Sequence, residues 1–236
     1  MNYISLWGNR LQNPFWSPPP VGESRATLLG KCYHIRFYEY SLCCYLTSHR
    51  EEIQRWSEFV LDRVNGSSGN ESGNSSRNMV LGFSTRWKRP KTRHNPIIPS
   101  TLQLCYGNIC IIIQGHVLFN LPDSLRQVLD SPLINFVGID STYHKYLLRT
   151  YYGLDIRNAI ELSSLAAPYL NVKREETKRW EIGTFVKVFF NKEYEPSPEM
   201  YSLDWEGVLL EKQVNVAALG AFFAWRMGLI CKPITA

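Results

Sequence analysis

Residues 79–87 read Met-Val-Leu-Gly-Phe-Ser-Thr-Arg-Trp, and the fold turns on this stretch. Val80, Leu81 and Phe83 crowd around Gly82, a short apolar run of the kind that forms a strand buried on both faces. Polar punctuation bounds it on the upstream side. Residues 65–77 (NGSSGNESGNSSR) are of low complexity and offer no apolar surface to bury, so a flexible loop is predicted there. The N-x-S triplets at Asn65, Asn70 and Asn74 follow from that composition and carry no secretory context. Downstream, residues 88–100 form a basic loop. Beyond it Thr101–Tyr106 (TLQLCY) and Ile109–Gln114 (ICIIIQ) flank Gly107-Asn108, which predicts a hairpin.

Farther out, residues 32–47 (CYHIRFYEYSLCCYLT) are rich in aromatic and β-favouring side chains and predict two more strands. Ile53, Trp56, Phe59, Val60 and Val64 recur at helical spacing over 50–64. Pro122 and Asp123 open a helix that reaches about Leu129. Residues 134–139 predict a strand, 142–152 a helix, and 156–162 a short extended segment. Residues 166–180 have no settled period, and 182–190 fit helix or strand. A last helix spans about Leu210 to Met227. Strands that later alternate with helices imply an α/β fold, a mixed sheet flanked by helices. A single domain over 31–231 is expected, with residues 1–30 as an N-terminal extension and 232–236 as a tail. The predicted core comprises Val80, Leu81, Phe83, Leu102, Leu104, Ile111, Ile113, Phe136, Val137 and Ile139, with Val214, Ala217, Ala218, Phe222 and Trp225 from the last helix.

Composition narrows the function classes. Six cysteines occur without a CxxC pair, so reduced thiols are expected rather than a zinc site. No run of eighteen apolar residues is present, and the expectation is no membrane partner. The net charge is +5, and Arg86, Lys88, Arg89, Lys91 and Arg93 supply as many cations within one short acid-free run. A local patch rather than a global excess is therefore what needs a partner.

Several blocks in order carry a resemblance: VLGFSTRW (80–87), LQLCYGNICIIIQ (102–114), PDSLRQVLDSPLINFVGI (122–139), YGLDIRNAIEL (152–162) and EKQVNVAALGAFFAWRMG (211–228). Together they resemble the plant Werner-syndrome-like 3′–5′ exonucleases of the DEDD, or DnaQ-like, group. The resemblance implies an RNase H-like fold over about residues 30–230; the nuclear or cytoplasmic location is what the reduced thiols lead one to expect. The resemblance also implies four carboxylates holding two Mg²⁺ or Mn²⁺ ions about 3.5–4 Å apart, which clamp the attacking water and the leaving oxygen.

At each implied position this chain has something else. The family's G-F-D-T-E-W strand is Gly82-Phe83-Ser84-Thr85-Arg86-Trp87 here, so Ser84 and Arg86 replace Asp and Glu. An ungapped count places His144 at the second Asp. The family's Q-V-x-Y-A-x-x-D-A block is Gln213 to Ala221, so Val216 replaces the water-positioning Tyr and Gly220 the last Asp. Arginine does not deprotonate in proteins, so the repulsion between Arg86 and a metal persists at every pH. Asp140, four residues before His144, would share its helical face if the helix began early and would then partly replace the second Asp, although one carboxylate does not rebuild a two-metal clamp. Asp123, Asp155, Glu161, Asp204 and Glu206 read as caps or surface charges.

The expected function is thus a catalytically inactive, exonuclease-like protein without a metal cofactor. It would act as a nucleic-acid-binding or protein-interaction module, the alternative being an active metal-dependent exonuclease with a rearranged site. Arg86, Lys88, Arg89, Lys91 and Arg93 are the candidate phosphate contacts, for DNA or RNA alike. A solvated loop and a short nuclear-localisation string are the competing readings of this run.

Overall fold

The structure is a computed structural model that describes residues 31–67, 78–87, 96–201 and 203–231. The expectations for 1–30, for 232–236 and for Lys88, Arg89, Lys91 and Arg93 lie outside these residues. Among the described residues seven strands form one sheet: β1 (Lys31–Phe37), β2 (Tyr40–Thr47), β3 (Met79–Trp87), β4 (Pro99–Tyr106), β5 (Ile109–Gln114), β6 (Ile134–Gly138) and β7 (Ala159–Glu161). Their spatial order is β1-β2-β5-β4-β3-β6-β7. The pairs β1–β2, β5–β4 and β4–β3 are antiparallel, while β2–β5, β3–β6 and β6–β7 are parallel. This is the expected mixed sheet.

β3 lies inside the sheet between β4 and β6, which explains why its sequence is apolar without alternation: helices cover both faces. On one side pack α1 (Arg50–Ser67), α2 (Asp123–Asp130) and α3 (Ser141–Tyr152). On the other pack α4 (Leu162–Leu170), α6 (Ile182–Phe190) and α7 (Glu211–Ile230), with the single turn α5 (Arg174–Thr177) following α4. The core therefore has two parts. Leu81, Phe83, Leu104 and Phe136 meet α1–α3, and Val80, Val137, Val214, Ala218 and Phe222 lie on the α7 side. Every predicted core residue is buried except Ile139, which is half-buried because β6 ends one residue earlier.

α7 lies directly on β3. A Cβ built on Gly82 would fall 1.8 Å from the Ala221 carbonyl oxygen, so only glycine lets the two backbones approach this closely. That contact fixes the position of Gly220 relative to Ser84 and Arg86. α7 is also long and apolar enough to cross a bilayer, but 72% of its apolar stretch is buried inside the protein, as a core helix requires.

Two expectations need correction. α1 continues through Ser67, so the predicted loop over 65–77 starts too early; residues 68–77 lie outside the described residues. Cys105 and Cys110 form a disulfide rather than remaining thiols. They are direct cross-strand partners in the β4–β5 hairpin, with Cα atoms 4.2 Å apart. The ambiguous segments 166–180 and 182–190 are helical, apart from the connections between α4, α5 and α6.

Candidate functional site

The sheet and α7 bring Ser84, Arg86 and Gly220 together. Ser84 and Arg86 sit two residues apart on β3 and share one face. Across the β3–β4 ladder Ser84 pairs with Gln103 and Arg86 with Thr101. The Ser84 hydroxyl donates to the Gln103 side-chain oxygen at 2.9 Å, and the Gln103 amide donates to the Thr101 hydroxyl at 2.5 Å. Gln103 and Thr101 are fully buried, so this ladder satisfies polar groups that would otherwise be costly. Arg86 is half-buried. Its guanidinium lies 5.6 Å from the ring centre of Trp205, and Trp205 is fixed by its indole N–H donating to the Met200 carbonyl. A Cβ at Gly220 would lie 3.5 Å from Arg86 Nη2 and 3.9 Å from Ser84 Oγ.

His144, on α3, packs instead on the other face of β3. Its ring is 5.9 Å from the Phe83 ring and 5.5 Å from the Trp87 ring. It is 5% exposed, and neither ring nitrogen has a hydrogen-bond partner among the described residues. Burial, reinforced by the Arg86 charge, pushes its pKa down to about 3. The imidazole is therefore neutral at physiological pH. Val216, one turn before Gly220 on α7, has no functional side chain, but its carbonyl accepts a hydrogen bond from the Tyr194 hydroxyl at 3.3 Å.

Asp140 does not join them. It precedes the first turn of α3 with φ 52 and is exposed, while His144 is buried. Its N–H and that of Ser141 both donate to the Glu161 carboxylate, at 3.1 and 2.9 Å. Asp140, Thr142, Glu161, Arg174 and Lys178 line a separate cavity of about 360 Å³. The other acids serve as expected: Asp155 pairs with Lys145 at 3.1 Å and Asp204 accepts from the Glu206 N–H. Among the described residues no three His, Cys, Asp or Glu side chains converge as a metal ligand set. The polar groups beside Gly220 are the engaged Ser84 hydroxyl and the fixed Arg86 cation, with the neutral His144 imidazole on the other face of β3. Such a set does not fit Mg²⁺ or Mn²⁺, which require charged oxygen ligands.

No protein-family profile matches the chain. An Arabidopsis thaliana protein described as a 3′–5′ exonuclease is 26% identical over 160 residues, covering 65% of this chain and 53% of that protein. The chain thus spans about half the length of this curated relative. Escherichia coli RNase D, an exoribonuclease involved in structured RNA processing, superposes with a TM-score of 0.60 at 15% identity, covering 79% of this chain and 43% of that one. The catalytic core of RRP6 from Trypanosoma brucei gives 0.59 at 12% identity, covering 84% and 48%. Brucella melitensis NrnC gives 0.54 at 15% identity, covering 69% and 76%. The chain is similar to a 3′–5′ exonuclease in sequence and to exonuclease structures in fold. The RNase H-like fold implied by the sequence resemblance is the fold these exonuclease structures share with it.

Within this exonuclease-like fold, sequence reading missed Gln103, Thr101, Trp205 and Tyr194 as parts of the site. The first two left a trace: they are the polar positions of an otherwise apolar strand, alternating with Leu102 and Leu104. Trp205 and Tyr194 reach the site through irregular segments, for which periodicity has no signal.

Proposed function

We propose that this chain is a pseudo-nuclease, an exonuclease-like protein without metal-dependent hydrolysis, whose former catalytic surface binds the phosphates of nucleic acid. The observation that carries the reading is the position of the Arg86 guanidinium, whose Nη2 lies 3.5 Å from where a Cβ on Gly220 would stand, with Ser84 Oγ 3.9 Å from the same point. By the family resemblance these three positions would hold metal-binding carboxylates. A divalent ion about 4 Å from a guanidinium is opposed by roughly 8 kcal/mol at an effective dielectric of about 20. That exceeds anything a neutral imidazole and a serine hydroxyl supply. The same cation attracts a phosphate, and its planar donors match phosphate oxygens in pairs. The basic run that continues from Arg86 would extend the contact along a strand. A protein partner on the same scaffold is the companion proposal, and the cytoplasm and nucleus are the proposed locations.

The test uses labelled single- and double-stranded DNA and RNA, each with Mn²⁺ and with EDTA. No nucleotide release from the 3′ end is expected in any lane. Binding should survive EDTA, be indifferent to sequence and weaken steeply with salt. With about five phosphate contacts the log–log slope on a single strand should be near −3.5. Mn²⁺-stimulated release of nucleotides would establish the alternative, an active exonuclease with a rearranged site. An inert protein that binds no nucleic acid at low salt would leave only the protein-partner proposal.

A further inference from the structure

Two thiols touch on the hairpin at the edge of the sheet. Cys32 Sγ and Cys43 Sγ are 3.0 Å apart, roughly 1 Å beyond the length of a covalent S–S bond. The register of β1 and β2 sets them there. Cys32 pairs with Tyr45 and His34 with Cys43, so the two cysteines are diagonal neighbours on one face. That face is the one covered by α1, since Tyr45 packs into the core part formed with α1–α3. Ile35, Leu42 and Cys44 belong to the opposite part of the core. Both Cys32 and Cys43 are half-buried rather than sealed.

We infer that Cys32 and Cys43 form a reversible redox pair, with Cys32 the nucleophile toward peroxide and Cys43 the resolving thiol. The contact supplies the chemistry. A hydrogen bond from Cys43 stabilises negative charge on Cys32 and, with help from Tyr45, brings the Cys32 pKa down to about 7, against burial and the Glu52 carboxylate. The same bond, with burial, holds the Cys43 proton firmly in place. Burial pushes Cys231 up to about 12 and Cys44 well above the usual thiol range. Glu52, the carboxylate that faces the pair from α1, is itself raised by burial.

The steps balance. The Cys32 thiolate attacks one peroxide oxygen, an S–O bond forms, the O–O bond breaks, and the departing hydroxide takes a proton from solvent. Cys43 then attacks the Cys32 sulfur. The S–S bond forms, the S–O bond breaks, and the hydroxyl leaves as water with the Cys43 proton. Two thiols and one hydrogen peroxide give one disulfide and two waters; sulfur is oxidised and peroxide reduced. Diagonal strand neighbours stand about 7–8 Å apart at Cα, at or past the long end of the disulfide range. The product is therefore strained and readily reduced by a dithiol. It would tie the edge strand β1 to β2.

The experiment uses the full chain, fully reduced, treated with dilute hydrogen peroxide and digested without reductant for mass spectrometry. A Cys32–Cys43 linked peptide, reversed by dithiothreitol, is expected. In Cys43→Ser the reaction should stop at a sulfenic acid on Cys32 that dimedone traps. Iodoacetamide at neutral pH should label Cys32 first, about threefold faster than an unperturbed thiol. A thiolate fraction about sixteen times larger is offset there by about fivefold lower nucleophilicity. This labelling order is measured on the unsubstituted protein, so it stands even if Cys43→Ser folds poorly. Oxidation appearing first at Cys231, linkage of Cys32 to Cys44, or labelling of Cys43 before Cys32 would each overturn the inference.

Discussion

Replacing Gly220 by aspartate returns one carboxylate to the site, and the geometry dictates how the protein responds. The new Cβ would meet Arg86 Nη2 at 3.5 Å and Ser84 Oγ at 3.9 Å, ordinary contact distances, so it enters without displacing the helix. The carboxylate then lies within reach of the guanidinium. Two unit charges about 4 Å apart attract by roughly 4 kcal/mol at an effective dielectric near 20. Desolvating the carboxylate cancels much of this, so G220D alone should change stability by no more than about 1 kcal/mol. In an R86Q background the same carboxylate has no partner and should cost about 3–5 kcal/mol. The double-mutant cycle should therefore return a coupling of about 2–4 kcal/mol. The assay is urea unfolding of the four proteins at neutral pH, with thermal melts alongside; a domain of this size moves about 2–4 °C per kcal/mol. Because Arg86 would hold the new carboxyl below its unfolded pKa, its contribution exists above about pH 4 and vanishes as pH falls further. A coupling under about 0.5 kcal/mol would mean that Arg86 does not occupy the space beside Gly220, and the pseudo-nuclease reading would lose its main support.

Restoring all three carboxylates as S84D/R86E/G220D should lower the metal-free melting temperature, because the like charges crowd together; a rise would contradict the electrostatic argument. His144 titrates lower in the folded than in the unfolded chain, so the unfolded state binds the proton first and stability falls as pH drops from about 6.5 toward 3. Between pH 6.5 and 5 this amounts to about 2 kcal/mol, and urea midpoints of H144Q should lack that slope; parallel curves for both proteins would count against a buried neutral imidazole. G82A should cost more than about 3 kcal/mol and reduce soluble yield, since its Cβ meets a backbone oxygen. G66A, with nothing within 4 Å of the new Cβ, should leave the melting temperature unchanged or raise it; equal effects for the two alanines would refute the close contact of α7 with β3.

Much of the fold was legible because its strongest signals are local. The Gly107-Asn108 turn fixed a hairpin, and the apolar run Val80–Phe83 identified an interior strand; both stand as read. The helices over 162–190 were not legible. α4 carries Pro168 within it, which reads as a break, and the nine residues of α6 are too uniformly apolar for their period to separate helix from strand. At the site, the proximity of Ser84, Arg86 and Gly220 accords with a register read from retained neighbours such as Gly82 and Trp87, whereas His144, placed by an ungapped count, packs against Phe83 and Trp87 on the other face of β3. Asp140, which would have shared the His144 face only if the helix began early, stands outside α3 as its N-cap. A left-handed residue at the mouth of α3 turns the chain in a way that i, i+4 spacing cannot anticipate.

The substitutions at the site fit one another, and this separates them from mere loss. Removing a side chain from position 220 leaves a volume in a closely packed sheet–helix layer, and such a void ordinarily costs stability. Here the Arg86 guanidinium stands next to that volume, with Trp205 beneath its face. An arginine in place of the family's glutamate needs that room, which an aspartate on α7 would also compete to fill. Ser84 in turn is short enough to bond Gln103 across the ladder, whose amide continues to Thr101. A site holding several ionised carboxylates without metal stores repulsion; this one consists of a satisfied neutral ladder, a neutral imidazole and one cation on an aromatic ring. Such an arrangement is compatible with a stable fold in the absence of any ion. If the proposed loss of hydrolysis holds, exchanging catalytic for structural complementarity in this way is the expected direction, and the Gly220–Arg86 cycle measures whether the two residues are coupled as that exchange requires.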